Sequence, residues 1–562
     1  MRTETTSREG SFADAEQDRA KPRDISPMIT EKEEEKEMDK PAVTSLLKNA
    51  GIDAELTFEI LDRYNAGEFD NQPAVEMDEI PGIDGTSVID MQDARWEMDK
   101  NAAVSRLKAL GVTKPLKLLA QTEGNRAVFT RRGLTALGYL LYPKTAYGVL
   151  NGGSATSYVD EKKNSSFNEK LMELYREPFE EIAGMARGRA KGITPACIHP
   201  DGSPGPSYME LKMRGLLIRE LIYREISGDN SSQGPIMFQM TSVNNDEEVA
   251  AAYREYRNSP FLKDLIEKLG TDMTRCRSGA QPMIGAYTHS DLGRPRQVFL
   301  GRDGKSPLPL PGGHGQNFAV LQDIYRELHA EGRLFAYLGN VDNLANLPYP
   351  AGVGLMALSG REAGFEFSFK TPVDIKGGIL IRDTRGRLNC GDIGPAISKE
   401  QVARAENAGK PILFNCATGL FNLDYLTREL SGIIRNLPTR FSDQDKDAGR
   451  YSQAEQVTWE VIGMLEDFFI FGVDKYERFI AAKLLLESFL ANGLHLEHPQ
   501  FPGDPDPAKD LQTVGRKLNR GLEKLFLEEY GLRQEGKQWI PKSFEELQEE
   551  ARLLGRNLGV LE

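Results

Sequence analysis

The sequence predicts an α/β protein with a central mixed, mostly parallel sheet and helical modules at its N- and C-terminal ends. Three observations carry this. Between residues 141 and 440 short apolar runs alternate with helix-patterned stretches, most of these runs end in small polar residues, and the flanking segments place apolar side chains at helical spacing. In an open α/β sheet the carboxyl ends of the strands form the ligand crevice, so the polar clusters are expected to converge on one pocket.

The elements read in order. Residues 1–40 are polar and charged, culminating in the run Glu31 to Glu37, and read as a disordered acidic tail. Residues 41–140 read as an N-terminal helical module, with Val43, Leu46 and Leu47, then Val104, Leu107 and Leu110, at helix spacing around a loop at Ile80-Pro81-Gly82. The α/β domain, 141–440, opens with the apolar run through Val149 and Leu150, which stops at Asn151-Gly152-Gly153. Two glycines without Cβ atoms let backbone N–H groups approach a phosphate or a flat base, although a tight turn makes the same demand.

Further runs follow the same plan. Pro235 to Met240 leads into Thr241 to Asp246, and Leu334 to Leu338 leads into Gly339-Asn340-Val341-Asp342-Asn343. Helices are expected over Tyr208–Ile226, Asp246–Arg257 and Asn317–Ala330; the acids opening the second of these suit a helix N-terminus. From 454 to 490 the positions of Val461, Leu465, Phe468, Phe469, Phe479, Leu484 and Leu485 predict a long apolar-faced helix or helix pair. A Pro-rich connector from His498 to Pro507 hands over to charged helices, which makes 441–562 a mostly helical C-terminal module.

Composition bounds the function. A net charge of −14 argues against a surface for nucleic-acid polymers, which are held by clustered Lys and Arg, but leaves room for a mononucleotide site with a few local cations. Four scattered cysteines without Cys-x-x-Cys spacing suit a reducing cytoplasm. No apolar stretch approaches the ~20 residues of a membrane span, and a soluble protein is expected. No Gly-x-Gly-x-x-Gly opens a helix after the first strand, which disfavours a nicotinamide-dependent oxidoreductase.

Taken in order, Leu150-Asn151-Gly152-Gly153, Met240-Thr241-Ser242, Gly313-His314-Gly315, Asn340-Val341-Asp342-Asn343, Asp374-Ile375-Lys376-Gly377-Gly378 and Phe414-Asn415 resemble the UDP-sugar pyrophosphorylase family. That family holds UTP–glucose-1-phosphate uridylyltransferases and UDP-N-acetylhexosamine pyrophosphorylases. The resemblance implies a sheet of the nucleotide-diphospho-sugar transferase (Rossmann-like) type and makes 141–440 the catalytic domain. It implies UTP and a hexose 1-phosphate, first of all glucose 1-phosphate, as substrates and Mg²⁺ as cofactor. An N-acetylated hexose, or a non-catalytic protein that kept a sugar-nucleotide pocket, are the alternatives. Oligomeric state is left open.

The resemblance assigns roles residue by residue. Leu150, Asn151, Gly152 and Gly153 line the nucleotide, Gln281 before Pro282 reads uracil, and Gly313 and His314 face nucleotide and sugar phosphate. Asn340 and Asn415 are substrate-binding residues, Asn340 for sugar hydroxyls. Asp342 is the metal candidate, although an Asp there can also close a turn. Lys376 is the phosphate-contacting lysine.

One loop departs from the family pattern: Ala155 stands where a glycine is expected, and Lys162-Lys163 lack the preceding proline. Lys191, in Arg189-Ala190-Lys191-Gly192, is the better match, which requires an insertion over about 158–187, helical in pattern, serving as a lid or a surface embellishment. His495 and His498 have i, i+3 spacing without an acidic or Cys partner pattern and read as structural.

Overall fold

The computed structural model describes residues 39–70, 77–231, 234–371, 374, 377–505 and 510–562. The expected acidic tail falls almost entirely outside them, and Lys376 does too.

Eight strands form the spine of the central sheet: β1 (Val88–Asp90), β2 (Thr145–Leu150), β3 (Met237–Ser242), β4 (Arg277–Gln281), β5 (Phe335–Asn340), β6 (Ala363–Phe369), β7 (Leu413–Asn422) and β8 (Phe468–Val473). Their spatial order is β1-β8-β6-β7-β5-β2-β3-β4. All neighbours are parallel except at β7, which runs antiparallel to both β6 and β5. Three further strands, Met77–Glu79, Gly378–Asp383 and Leu388–Asp392, extend this sheet beside β7.

Strands β2, β5 and β8 are largely apolar and buried because the sheet is covered on both faces there. Alternation sorts their side chains: Tyr147, Val149, Phe335 and Tyr337 join one core, while Ala146, Leu150, Ala336 and Leu338 join the other. The first core is closed by helices Arg131–Leu140, Tyr208–Ser227 and Pro350–Ser359, the second by Asn317–Val320, Gln322–Ala330 and Leu423–Asn436. Arg131–Leu140 and Pro350–Ser359 lie so close that a Cβ at Gly138 would overlap the carbonyl of Pro350, and one at Gly354 would overlap that of Leu134.

Register alone assembles the crevice. Leu150 pairs with Asn340 on one side and with Met240 on the other, and Ser242 pairs with Gln281. The residues following these strand ends therefore share one sheet edge.

Tyr208–Ser227 is a capping-box helix, with Ser207 and Glu210 bonding reciprocally, and is buried on nearly every side. Two of its buried cations are satisfied by carbonyls of later segments: Lys212 Nζ donates to Asn343 O at 2.7 Å, and Arg214 Nε donates to Tyr530 O at 2.6 Å. The insertion is helical as expected, with Glu161–Phe167, Glu169–Leu174 and Arg176–Ala186.

Two expectations are corrected. The long helix expected over 454–490 is absent: this stretch finishes the strand Gly449–Gln456, makes a 3-10 turn at Thr458–Met464, supplies β8, and then forms the short helices Lys475–Arg478 and Leu485–Ala491. Phe468 to Val473 is a continuous apolar run, and such a run fits a buried strand as well as a buried helix; pairing of β8 between β6 and β1 decided it. The 41–140 module is not purely helical either. It carries β1 and a three-stranded antiparallel sheet of Arg95–Asp99, Arg126–Thr130 and Gln121–Glu123, and Val104 is half exposed.

Gly138→Ala is expected to destabilise the protein by about 3 kcal/mol, because backbone atoms of a packed helix pair must separate to admit the methyl group. A lowered urea midpoint at unchanged cofactor-free secondary structure checks this.

Candidate functional site

The glycine loop after β2 is shaped by what lies beneath it. Gly152 sits where a Cβ would come within 3.1 Å of Thr241 O and 3.4 Å of Gln281 Oε1, so glycine lets the loop lie close over the ends of β3 and β4. Asn151 does not face the crevice, which corrects its expected substrate contact. Its side chain is fully buried, donates to Gln239 Oε1 at 3.1 Å, and is covered by Gly192, where a Cβ would overlap its amide. Asn151 holds the loop from below.

The segment bearing Lys191 returns to this loop. Ala155 N donates to Arg189 O at 2.8 Å and Lys191 N to Gly153 O at 3.0 Å, so the intervening insertion is looped out and brought back to its starting point. Arg189 is fixed to Glu248 at 2.6 Å. Lys162 and Lys163 are exposed, and Lys163 donates to Ser157 instead.

Asp342, just past β5, is where the site's charges meet. Its Oδ2 lies 3.5 Å from Lys191 Nζ and 3.1 Å from Lys483 Nζ. Burial opposes its ionisation, but the two ammonium groups prevail and hold its carboxyl at about 2. Burial depresses the Lys191 ammonium, and Asp342 offsets part of that loss. Lys191 also donates to Ala482 O and lies over the Tyr158 ring at 4.7 Å.

The Asp342 loop is pinned from both sides. Leu344 N donates to Ile480 O at 2.9 Å and Ile480 N to Asn343 Oδ1 at 3.0 Å, which ties the loop to the segment carrying Lys483. Behind it the buried Arg478 guanidinium binds Glu366 at 2.8 Å, Tyr337 at 2.6 Å and Leu347 O at 2.8 Å.

Gln281 and His314 form the opposite wall. Gln281 Nε2 donates to Gly313 O at 2.7 Å and to Gln316 Oε1 at 2.8 Å, so its amide protons hold the His314 turn. His314 Nδ1 faces Thr458, 3.1 Å from its backbone N and 2.7 Å from its Oγ1, which fixes the plane of the imidazole. Burial keeps it neutral, pushing its pKa down to about 4.

Two clefts meet at these residues. One, of about 520 Å³, is lined by Leu150, Gly152, Gly153, Lys191, Gln281 and Gly313. The other, of about 720 Å³, is lined by Gly377, Gly378, Asn415, Trp459 and Glu460 among others. His314, Asn340, Asp342 and Lys483 line both. Asn415 is braced by its own strand, accepting from Ala417 N at 2.9 Å. Asp374, of the Asp-Ile-Lys-Gly-Gly stretch, forms a buried ion pair with Lys475.

Lys483 was not singled out in the sequence. It is a lone lysine after Ile480-Ala481-Ala482, with no motif around it, and only its distance from Asp342 reveals it. His495 stacks on Tyr175 at 5.9 Å.

Residues 302–493 match the profile of the family described as UTP–glucose-1-phosphate uridylyltransferase. The chain is 23% identical over 331 residues to the UTP–glucose-1-phosphate uridylyltransferase of Solanum tuberosum, covering 56% of this chain and 65% of that protein. The Hordeum vulgare protein of the same name is 23% identical over 330 residues, covering 56% and 66%. The chain thus spans just under two thirds of the length of these relatives. In fold it is similar to the UDP-N-acetylglucosamine pyrophosphorylase of Trypanosoma brucei, with a TM-score of 0.52 at 16% identity over 88% of this chain and 92% of that one. It is also similar to a UDP-glucose pyrophosphorylase variant of Leishmania major, with a TM-score of 0.50 at 15% identity over 80% and 78%. The profile match and the plant relatives agree with the ordered motifs: the chain is similar to the UDP-sugar pyrophosphorylase family.

Proposed function

We propose that this protein is a uridylyltransferase that joins UTP and a hexose 1-phosphate, with glucose 1-phosphate the preferred sugar, into a UDP-sugar and pyrophosphate. The observation that carries this reading is the Asp342 carboxylate held by Lys191 and Lys483 where the two clefts meet. Glucose is favoured because both plant relatives are named for it and because the Leu-Asn-Gly-Gly and Gly-His-Gly stretches resemble the glucose branch.

The reaction asks for positioning and charge neutralisation. A phosphate oxygen of the sugar 1-phosphate attacks the α-phosphorus of UTP in line, and the bond from that phosphorus to the pyrophosphate oxygen breaks. The nucleotide takes the glycine-loop cleft and the sugar the cleft at Asn415, which puts the reacting phosphates at His314, Asn340, Asp342 and Lys483. Lys191 neutralises the triphosphate from the glycine-loop side. Lys483, lining both clefts, neutralises the sugar phosphate and the charge that develops on transfer. His314 takes part as a neutral polar group at the junction of the clefts, and Gln281 acts by holding its turn.

Asp342 suits Mg²⁺. It is an ionised, hard oxygen donor, and among the described residues no group of three or more His, Cys, Asp or Glu side chains gathers into a protein cage. A single carboxylate fits an ion that keeps its waters and takes substrate phosphates as further ligands. When bound, Mg²⁺ supplies charge neutralisation between phosphate groups. Four cysteines without a disulfide, and no helix among the described residues long and apolar enough to cross a membrane, support a cytoplasmic setting.

The purified protein is expected to release pyrophosphate from UTP only when Mg²⁺ and a hexose 1-phosphate are both present. Equal rates with ATP or GTP overturn the uridine reading, and equal rates with an N-acetylhexosamine 1-phosphate overturn the preference for glucose. Lys191→Ala is expected to lower kcat/KM by about two orders of magnitude or more, the scale of losing one preorganised electrostatic contact, while alanine at both Lys162 and Lys163 has a mild effect. Steady-state kinetics rank the two, and the reverse ranking moves the triphosphate cation into the exposed run. A neutral His314 also has a signature. His314→Gln, which keeps a neutral donor, is expected to lower kcat/KM without changing the shape of its pH profile above about pH 5, because a group held at about 4 does not titrate there. Loss of a limb from that profile marks His314 as an acid or base instead.

A further inference from the structure

We propose a second anion site, for a phosphate or phosphomonoester group, in a cavity of about 270 Å³ formed by Arg385, Arg387, Asn389, Arg440, Glu460 and Gly463. None of Lys191, His314, Asp342 or Lys483 lines it, so it stands independently of the uridylyl-transfer reading.

The cavity reverses the sign of the molecule. Three arginines line it against one acidic residue, in a chain of net charge −14. Arg385 and Arg387 come from the turn between the strands Gly378–Asp383 and Leu388–Asp392, and Arg440 from the strand Thr439–Lys446 across the cavity. Two of the three are paired: Arg385 with Asp383 at 2.7 Å and Arg440 with Glu460 at 2.9 Å. Asp383 is further occupied by the backbone N–H groups of Arg385 at 3.0 Å and Arg387 at 3.1 Å.

Arg387 differs. Among the described residues no carboxylate pairs with it, and its Nε is buried without a hydrogen-bond partner. A guanidinium held partly out of water beside two others is costly to leave uncompensated, and a compact oxyanion in the cavity relieves that repulsion. Arginine forks match phosphate oxygens in geometry as well as charge, and Arg385 and Arg440 remain open to solvent at 44% and 36% of their side-chain surface. Arg440 and Glu460 also line the sugar-side cleft, so their pair is the partition between the two spaces.

The test is calorimetric titration of the full-length protein with inorganic phosphate at fixed ionic strength, beside Arg387→Gln and Arg387→Glu. Wild type is expected to bind saturably. Arg387→Gln is expected to weaken that binding by about tenfold or more and Arg387→Glu to remove it, with thermal unfolding and hexose 1-phosphate turnover in phosphate-free buffer kept in both. Glycerol 2-phosphate identifies the source: binding in parallel assigns the site to phosphomonoesters, and binding of inorganic phosphate alone assigns it to the free ion. Identical isotherms in all three proteins, no saturable binding, or the same response to chloride overturn the proposal.

Discussion

The site depends on one arrangement of charge: the Asp342 carboxylate between two ammonium groups delivered by distant segments. Each group alone is costly to bury. Lys191 is pushed toward its neutral form by burial, and Asp342 would be as well without its partners. Together they compensate one another's charge at a sheet edge. Lys483, much more exposed than Lys191, completes the arrangement at 3.1 Å.

Holding those lysines in place explains two features that otherwise look ornamental. The insertion after the glycine loop packs Tyr158, Leu171, Phe179 and Ile182 against Leu485, Leu486, Phe489 and Leu490 in one apolar cluster. Tyr158 O accepts from Leu485 N at 3.0 Å, and Tyr158 OH donates to Ser488 Oγ at 2.7 Å. The insertion thus carries Lys191 at its return and braces the segment that carries Lys483. The missing glycine and proline of the family loop are answered by tertiary contacts, with Ala155 buried in that same cluster.

The opposite wall uses neutral hydrogen bonding. Gln281 commits both amide protons to the His314 turn, and Thr458 meets His314 Nδ1 with its backbone N–H and hydroxyl, so the imidazole is held in place by neutral partners. The N-terminal helices reach the same wall: Asp53 N donates to Met283 O at 2.9 Å, and Gly285 N donates to Thr57 Oγ1 at 3.0 Å.

Local chemistry written in consecutive residues was legible in the sequence. The apolar run ending at Gly152-Gly153, the strand before Asp342, the capped helix from Tyr208 and the helical insertion all follow from short-range pattern, because period, turn chemistry and caps act over a few residues. The return of Lys191 to the glycine loop was legible through the family resemblance. Other features were decided by long-range packing. The run from Phe468 to Val473 became a strand only because an open position between β6 and β1 accepted it, and Asn151 turned from ligand to support only because Gly192 closed over it. Lys483 lies 141 residues from Asp342 with no motif to mark it, and its role comes from distance alone. Sequence determines which segments can form and which residues can carry charge; tertiary structure decides which charges meet, because the energy of an ion pair depends on separation and burial that no local pattern encodes.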